Sequence, residues 1–180
     1  VAATCTLVHL DTMEGQGGLN VLQLNGTDAV KEVDLSNKRL GPAAGGVIGA
    51  ALAVKAGLTN LNLNNNEIGD AGATAIAEAL KVNAVLMNLN LNDNKIGPVG
   101  AEALAGALRV NTVVTELTLR GNKIGDAGAK AIAEALRVNA VLTKLNLRVN
   151  TIGDAGAKAI ADALRVNAVL TELELSLIHI

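Results

Sequence analysis

Between Leu58 and Leu63 the chain alternates apolar and polar residues, with Leu61-Asn62-Leu63 as its centre. That is the pattern of a short strand with one buried face. The period then changes. Ala73, Ile76, Ala77 and Leu80 fall at i, i+3, i+4 and i+7, which is one face of a helix. A Gly-Asp pair at 69–70 separates the two patterns and predicts a turn, with Asp70 as the N-cap of the helix. Asn83, just past the helix, predicts a left-handed C-terminal cap, which Asn tolerates. Both patterns return at Leu86, Val114 and Leu142, and the strand pattern alone at Leu170, each start 28 residues after the last. A period held without one insertion outranks local propensity, because it marks one small unit stacked on copies of itself.

The units predicted are 30–57, 58–85, 86–113, 114–141 and 142–169, with a partial unit at 170–175. A three-residue strand is too short to stand alone and needs parallel neighbours from adjacent units. Asn66 recurs as Asn94, Asn122 and Asn150. An amide carries donors and an acceptor together, so it can satisfy backbone groups where the strand ends inside the stack, and four of them predict an interior ladder. Pro42 and Pro98 replace the helix-opening Asp in two units, at a position where the missing N–H would be unpaired anyway. Unit 30–57 keeps Val30, Val33, Leu35 and Leu40 but has Lys38 at the ladder position, as terminal units often depart from pattern. Its Gly45, Gly46 and Gly49 are expected to weaken the helix by up to about 1 kcal/mol each relative to Ala. Residues 1–29 lie off the pattern and are expected to form a capping segment, with a short strand and turn over 19–29. Residues 176–180 are off-pattern too, with Ile178 at the ladder position. A truncation, or an out-of-frame tail from 177, is the expectation, and a closing apolar strand the alternative.

Each unit fits L-x-x-L-x-L-x-x-N-x-I/L. Leu58, Leu61, Leu63, Asn66 and Ile68 fill it, as do Val114, Leu117, Leu119, Asn122 and Ile124. This resembles the leucine-rich repeat pattern, whose period runs roughly 20–29 residues. The second half, Ile-Gly-Asp-Ala-Gly-Ala-Lys-Ala-Ile-Ala-Glu-Ala-Leu-Arg-Val-Asn at 124–139, resembles the helical half of ribonuclease-inhibitor-like repeats. Such repeats occur in ribonuclease inhibitors, Ran GTPase-activating proteins and the sensor halves of nucleotide-binding immune receptors. The resemblance implies an α/β leucine-rich repeat solenoid, a horseshoe segment with a parallel sheet on its concave side and helices on its convex side. It implies little about function, because the matching residues are scaffold residues.

Composition narrows the function classes. Half the residues are apolar and none is aromatic, so Leu, Ile, Val and Ala must build the whole core. A formal charge of −2 implies no strong attraction to nucleic acid or an anionic membrane. No apolar run approaches the roughly 20 residues that cross a bilayer. A single cysteine, Cys5, excludes an internal disulfide framework and points to the cytoplasm. Asn25-Gly26-Thr27 reads as a sequon only if the chain is exported, and otherwise as a plain turn. Phosphate-loop, serine-hydrolase and zinc-protease motifs are missing, and Asn90 to Asn94 lacks the Gly and Glu a calcium loop needs. His9 and His179 have no ligand set near them in sequence. No catalytic residue, metal or cofactor is expected.

What remains is surface. The strand residues between the leucines are expected to face outward on the concave side, where repeat arrays bind partners. They form three columns: Asn60, Asn88, Glu116, Lys144, Glu172; Asn62, Asn90, Thr118, Asn146, Glu174; and Asn64, Asn92, Arg120, Arg148, Ser176. The charged later part, Glu116, Thr118, Arg120, Lys144, Asn146, Arg148, Glu172 and Glu174, is the expected contact surface for a protein partner, with Arg120 and Arg148 suited to acidic groups. On the helix side Lys81, Arg109, Arg137 and Arg165 form a second basic row, expected to be solvated. Lys130 with Glu134, and Lys158 with Asp162, are expected i, i+4 pairs of little energy. The expected function is a protein–protein interaction scaffold without catalysis, a monomer or a part of a longer chain. The alternatives are a regulator of a small GTPase and the ligand-sensing part of a nucleotide-binding receptor.

Overall fold

The computed structural model describes residues 31–54 and 57–176. The segment 1–29 expected as a cap, with Cys5 and His9, and the tail from 177 lie outside the described residues. Among the described residues six strands alternate with five helices: β1 (Glu32–Asp34), α1 (Gly41–Val54), β2 (Asn60–Asn62), α2 (Gly69–Leu80), β3 (Asn88–Asn90), α3 (Pro98–Leu108), β4 (Glu116–Thr118), α4 (Gly125–Leu136), β5 (Lys144–Asn146), α5 (Asp154–Leu164) and β6 (Glu172–Glu174). The strands form one parallel sheet in sequence order. Its register is the repeat itself: Leu61 faces Leu89, Leu89 faces Leu117, Leu117 faces Leu145 and Leu145 faces Leu173. The chain is an α/β leucine-rich repeat solenoid.

The core lies between sheet and helices. Leu63, Ile68, Ile76, Leu91, Ile96, Leu119 and Ile124 are fully buried. Between helices the fillers are small: Ala73, Ala77, Ala101, Ala105, Ala129 and Ala133 are all 2 % exposed or less. Alanine there lets neighbouring helices approach closely at no cost in helix propensity. The glycines of α1 serve the same end. A Cβ on Gly45 would run into the backbone of Gly72, so the propensity cost expected of this residue is the condition for packing α1 on α2. With those contacts α1 is the longest helix described, at 14 residues.

Asn66, Asn94, Asn122 and Asn150 are at most 4 % exposed and bond only backbone. Asn122 shows the scheme. Its Nδ2 donates to the carbonyls of Leu91 (2.9 Å) and Leu119 (2.8 Å), and its Oδ1 accepts from the N–H groups of Asn94 (3.0 Å) and Ile96 (2.9 Å). Each ladder residue thus serves the unit before its own.

Two expectations are corrected. Asn83, Asn111, Asn139 and Asn167 do not adopt the left-handed conformation, which among the non-glycine described residues is confined to eight others. They build a second row instead. Asn111 Nδ2 donates to the carbonyl of Leu80 at 2.7 Å, which ends the previous unit's helix, while Oδ1 accepts from Val113 and Val114 at 2.9 and 2.8 Å. The side chain caps a helix C-terminus one unit away, where backbone carbonyls have no helical partner. Asp70 and Asp126 likewise do not cap their own helices. They lie inside α2 and α4, whose N-caps receive no side-chain bond. Asp70 Oδ1 accepts from the N–H groups of Gly97 (2.6 Å) and Gly100 (2.8 Å), at the start of the next helix, α3. Asp126 Oδ1 does the same to Gly153 and Gly156, both at 2.9 Å, at the start of α5.

This cross-unit cap sets the local backbone. Gly97 and Gly153, which follow an Asp-bearing unit, are extended at φ −96°. Gly69 and Gly125, which follow the Pro42 and Pro98 units, sit at φ +62° and +60°, where glycine escapes the steric penalty of a Cβ. The proline side chain has no acceptor, so the helix after it starts by another route.

Candidate protein-binding face

The strands are three residues long, so each offers one inward aliphatic residue, Val33 in β1 and leucine in β2 to β6, and two outward polar side chains. The parallel register brings the outward residues of successive units into file: Asn60 beside Asn88, Glu116 and Lys144, and Asn62 beside Asn90, Thr118 and Asn146. Glu32 and Asp34 extend the same files one unit earlier. The sequence reading began the files at Asn60. The phase of 28 would have included Glu32 and Asp34, but the irregular first unit hid them.

The files are bonded along their length. Asn88 Nδ2 donates to Asn60 Oδ1 at 2.8 Å, and Asn60 Nδ2 donates to Glu32 Oε1 at 2.7 Å. In the next file Thr118 Oγ1 donates to Asn90 Oδ1 at 2.9 Å. The amide donors point toward the first unit, so the relay ends on the carboxylate of Glu32. Beside it, the Ser36 N–H bonds Asp34 at 2.8 Å and, with the Ser36 hydroxyl, holds its carboxyl below the usual carboxylate range.

Charge is arranged differently toward β6. Lys144 Nζ lies 3.1 Å from Glu172, and Arg148 lies 3.6 Å from Glu174. The hydrogen bond to Glu172, then its charge and that of Glu116, raise the Lys144 ammonium above the ordinary lysine range. Two of the three cations in the expected contact set are therefore already matched by carboxylates of the last strand. Arg120 is exposed and has no carboxylate within 4.0 Å among the described residues.

The hollow over the early units is larger than the one over the later units. A trough of about 600 Å³ is lined by Glu32, Asp34, Asn60, Asn62, Asn88, Asn90, Glu116 and Thr118, together with Val33, Leu61 and Leu89. Over the later units the hollow shrinks to about 60 Å³, bordered by Glu116, Thr118, Lys144, Asn146, Glu172 and Glu174. Of the residues expected as contacts, Glu116 and Thr118 border both.

The helix side is simpler. Lys81, Arg137 and Arg165 pair with Glu78, Glu134 and Asp162 at i, i+3, in place of the i, i+4 pairs expected of Lys130 and Lys158. Val82, Val110, Val138 and Val166 stand exposed beside the basic row. Among the described residues no cluster of His, Cys, Asp or Glu could hold a metal ion, and no helix is long and apolar enough to cross a membrane.

The profile of the Leucine Rich repeat family matches residues 58–77, 82–105, 110–133 and 138–161. The chain belongs to the leucine-rich repeat family. Nothing in the match singles out the ribonuclease-inhibitor-like branch within it. No curated protein sequence matches this leucine-rich repeat chain. Among solved structures, Leiomodin-1 Actin-Binding Site 2 superposes with a TM-score of 0.70 at 26 % identity, over 81 % of this chain and 85 % of that one. A tropomodulin C-terminal domain from Caenorhabditis elegans superposes with a TM-score of 0.66 at 20 % identity, over 82 % and 90 %, a likeness of fold alone.

Proposed function

We propose that this leucine-rich solenoid is a non-catalytic scaffold that holds a protein partner against its concave face in the cytoplasm. The trough over β1 to β4 carries the reading. Its polar lining takes no part in the core, yet it is lined up unit to unit by the register. Side chains held in file lose little freedom on binding, which lowers the entropic cost of association. Glu116, Thr118, Arg120, Lys144, Asn146, Arg148, Glu172 and Glu174 continue the surface, and Glu32 and Asp34 are added to it.

Actin is the candidate partner, supported by the likeness to a domain described as an actin-binding site. The test is a titration of labelled actin with the chain and with three variants. Glu116→Lys and Arg120→Glu on the concave face are expected to weaken binding about tenfold or more, as truncating well-placed interface charges does. Glu134→Lys on the convex side is expected to leave it unchanged. Absence of actin binding removes actin as the partner. Binding that ignores both concave substitutions removes the concave face.

A further inference from the structure

The trough over β1 to β4 carries charge of one sign. Glu32, Asp34 and Glu116 bring three carboxylates to it, and among the described residues no lysine or arginine lines it. Lys144, next to Glu116 in the file, places its ammonium 3.1 Å from Glu172 instead. The Ser36 bonds that hold Asp34 below the usual carboxylate range keep it charged. The bonding along the file is also broken at one point. Asn60 donates to Glu32 and Asn88 donates to Asn60, so both amides turn their Nδ2 toward β1. Glu116 stands next to Asn88 in the register, and no hydrogen bond joins their side chains. A carboxylate only accepts, so a donor from outside completes this junction.

We propose that the trough holds an extended basic segment of the protein partner, with one lysine or arginine on Glu32 and Asp34 and a second, four residues away, on Glu116. This rests on the concave-face reading above. Strand spacing sets the span. Glu32 and Glu116 are three registers apart, which is about 14 Å at about 4.8 Å per strand. An extended chain covers that in four residues at about 3.4 Å each, and its period of two puts residues i and i+4 on one face. A helix needs about nine residues for the same span, and nine steps of about 100° turn the second side chain to the far side. Val33, Leu61 and Leu89 in the lining give the methylenes of long basic side chains apolar surface to cover.

The probe is a Gly/Ser peptide with two lysines four residues apart, titrated into the isotope-labelled chain and followed by NMR. Amide shifts are expected at β1 to β4. Glu32→Gln and Glu116→Gln are each expected to weaken binding about threefold, the scale of exposed charge pairs. Glu134→Gln, which removes the same charge from the convex side, is expected to leave it unchanged. Moving the second lysine one residue closer turns it to the other face and should cost a similar factor. Added salt should weaken binding as well, since the pairs are exposed. Binding indifferent to the lysine spacing, or to both trough substitutions, overturns the proposal. So does equal binding of the same peptide with glutamates in place of the lysines. Spermine that binds as tightly makes a small polycation the occupant and overturns it too. Arg120 lies outside the trough's lining. Actin binding that falls with Arg120→Glu, while the peptide shifts nothing, therefore keeps the concave face and removes this occupant alone.

Discussion

The same amide does opposite work on the two sides of this sheet. Asn62 and Asn90 line the open trough, half-buried; each accepts from the backbone N–H two residues on, and Asn90 accepts as well from Thr118 in its own file. Asn94 and Asn122 are enclosed, and every bond their side chains make is to backbone. Residue type says little about energetic weight. Access to water decides it, because an exposed amide that loses a partner takes up water and a buried carbonyl cannot.

Mutation should separate the two sides sharply. The largest effect is expected for Asn122→Ala, which strands the buried carbonyl of Leu91 and the buried N–H groups of Asn94 and Ile96 and should cost about 3 kcal/mol in urea unfolding. Asn111→Ala, in the second row, should come next at about 2 kcal/mol, since it uncaps one helix and frees the N–H groups of Val113 and Val114. Asp126→Ala removes the cap on α5 and is expected to cost about 1 kcal/mol, with Asp154→Ala in the same chain well below it. Asn62→Ala, on the open side, should stay within about 0.5 kcal/mol. An Asn62→Ala loss comparable to that of Asn122→Ala would erase the contrast between the two sides.

The smallest effect concerns pH. Lys144 has its ammonium raised by Glu172, so the pair contributes stability that is present below the ordinary lysine pKa of about 10.4 and fades as pH rises through the higher folded value. Comparing the chain with Lys144→Met, the Tm difference should be small at pH 8 and vanish at strongly alkaline pH. Both groups are exposed, so added salt should shrink it as well.

Much of the fold was legible in the sequence. A fixed period of 28 residues, with a strand pattern and a helical face in each copy, dictates parallel strands in sequence order. Asn122 stands out in the sequence because an amide recurs where the strand ends. Its partners, Leu91 and Ile96 among them, do not, since they lie a whole unit away. The same blindness misassigned Asp70 and Asn83. Local rules offer each polar residue the nearest helix end, whereas stacking brings a neighbour's helix end closer. The files of the concave face followed from phase alone. The trough did not, because its depth depends on how the early and late strands are disposed in space, and Glu32 and Asp34 sit in the least regular unit.

Between units, the amide bonds of both interior rows run one way. Asn66 grips Leu35 and Lys38, Asn94 grips Leu63 and Ile68, and Asn111 grips Leu80, in each case backward along the chain. Each junction is therefore held by amides that belong to its later unit. Losing a unit from the C-terminal end strips the backbone of the unit before it of partners, whereas losing one from the N-terminal end leaves only amides without backbone to hold.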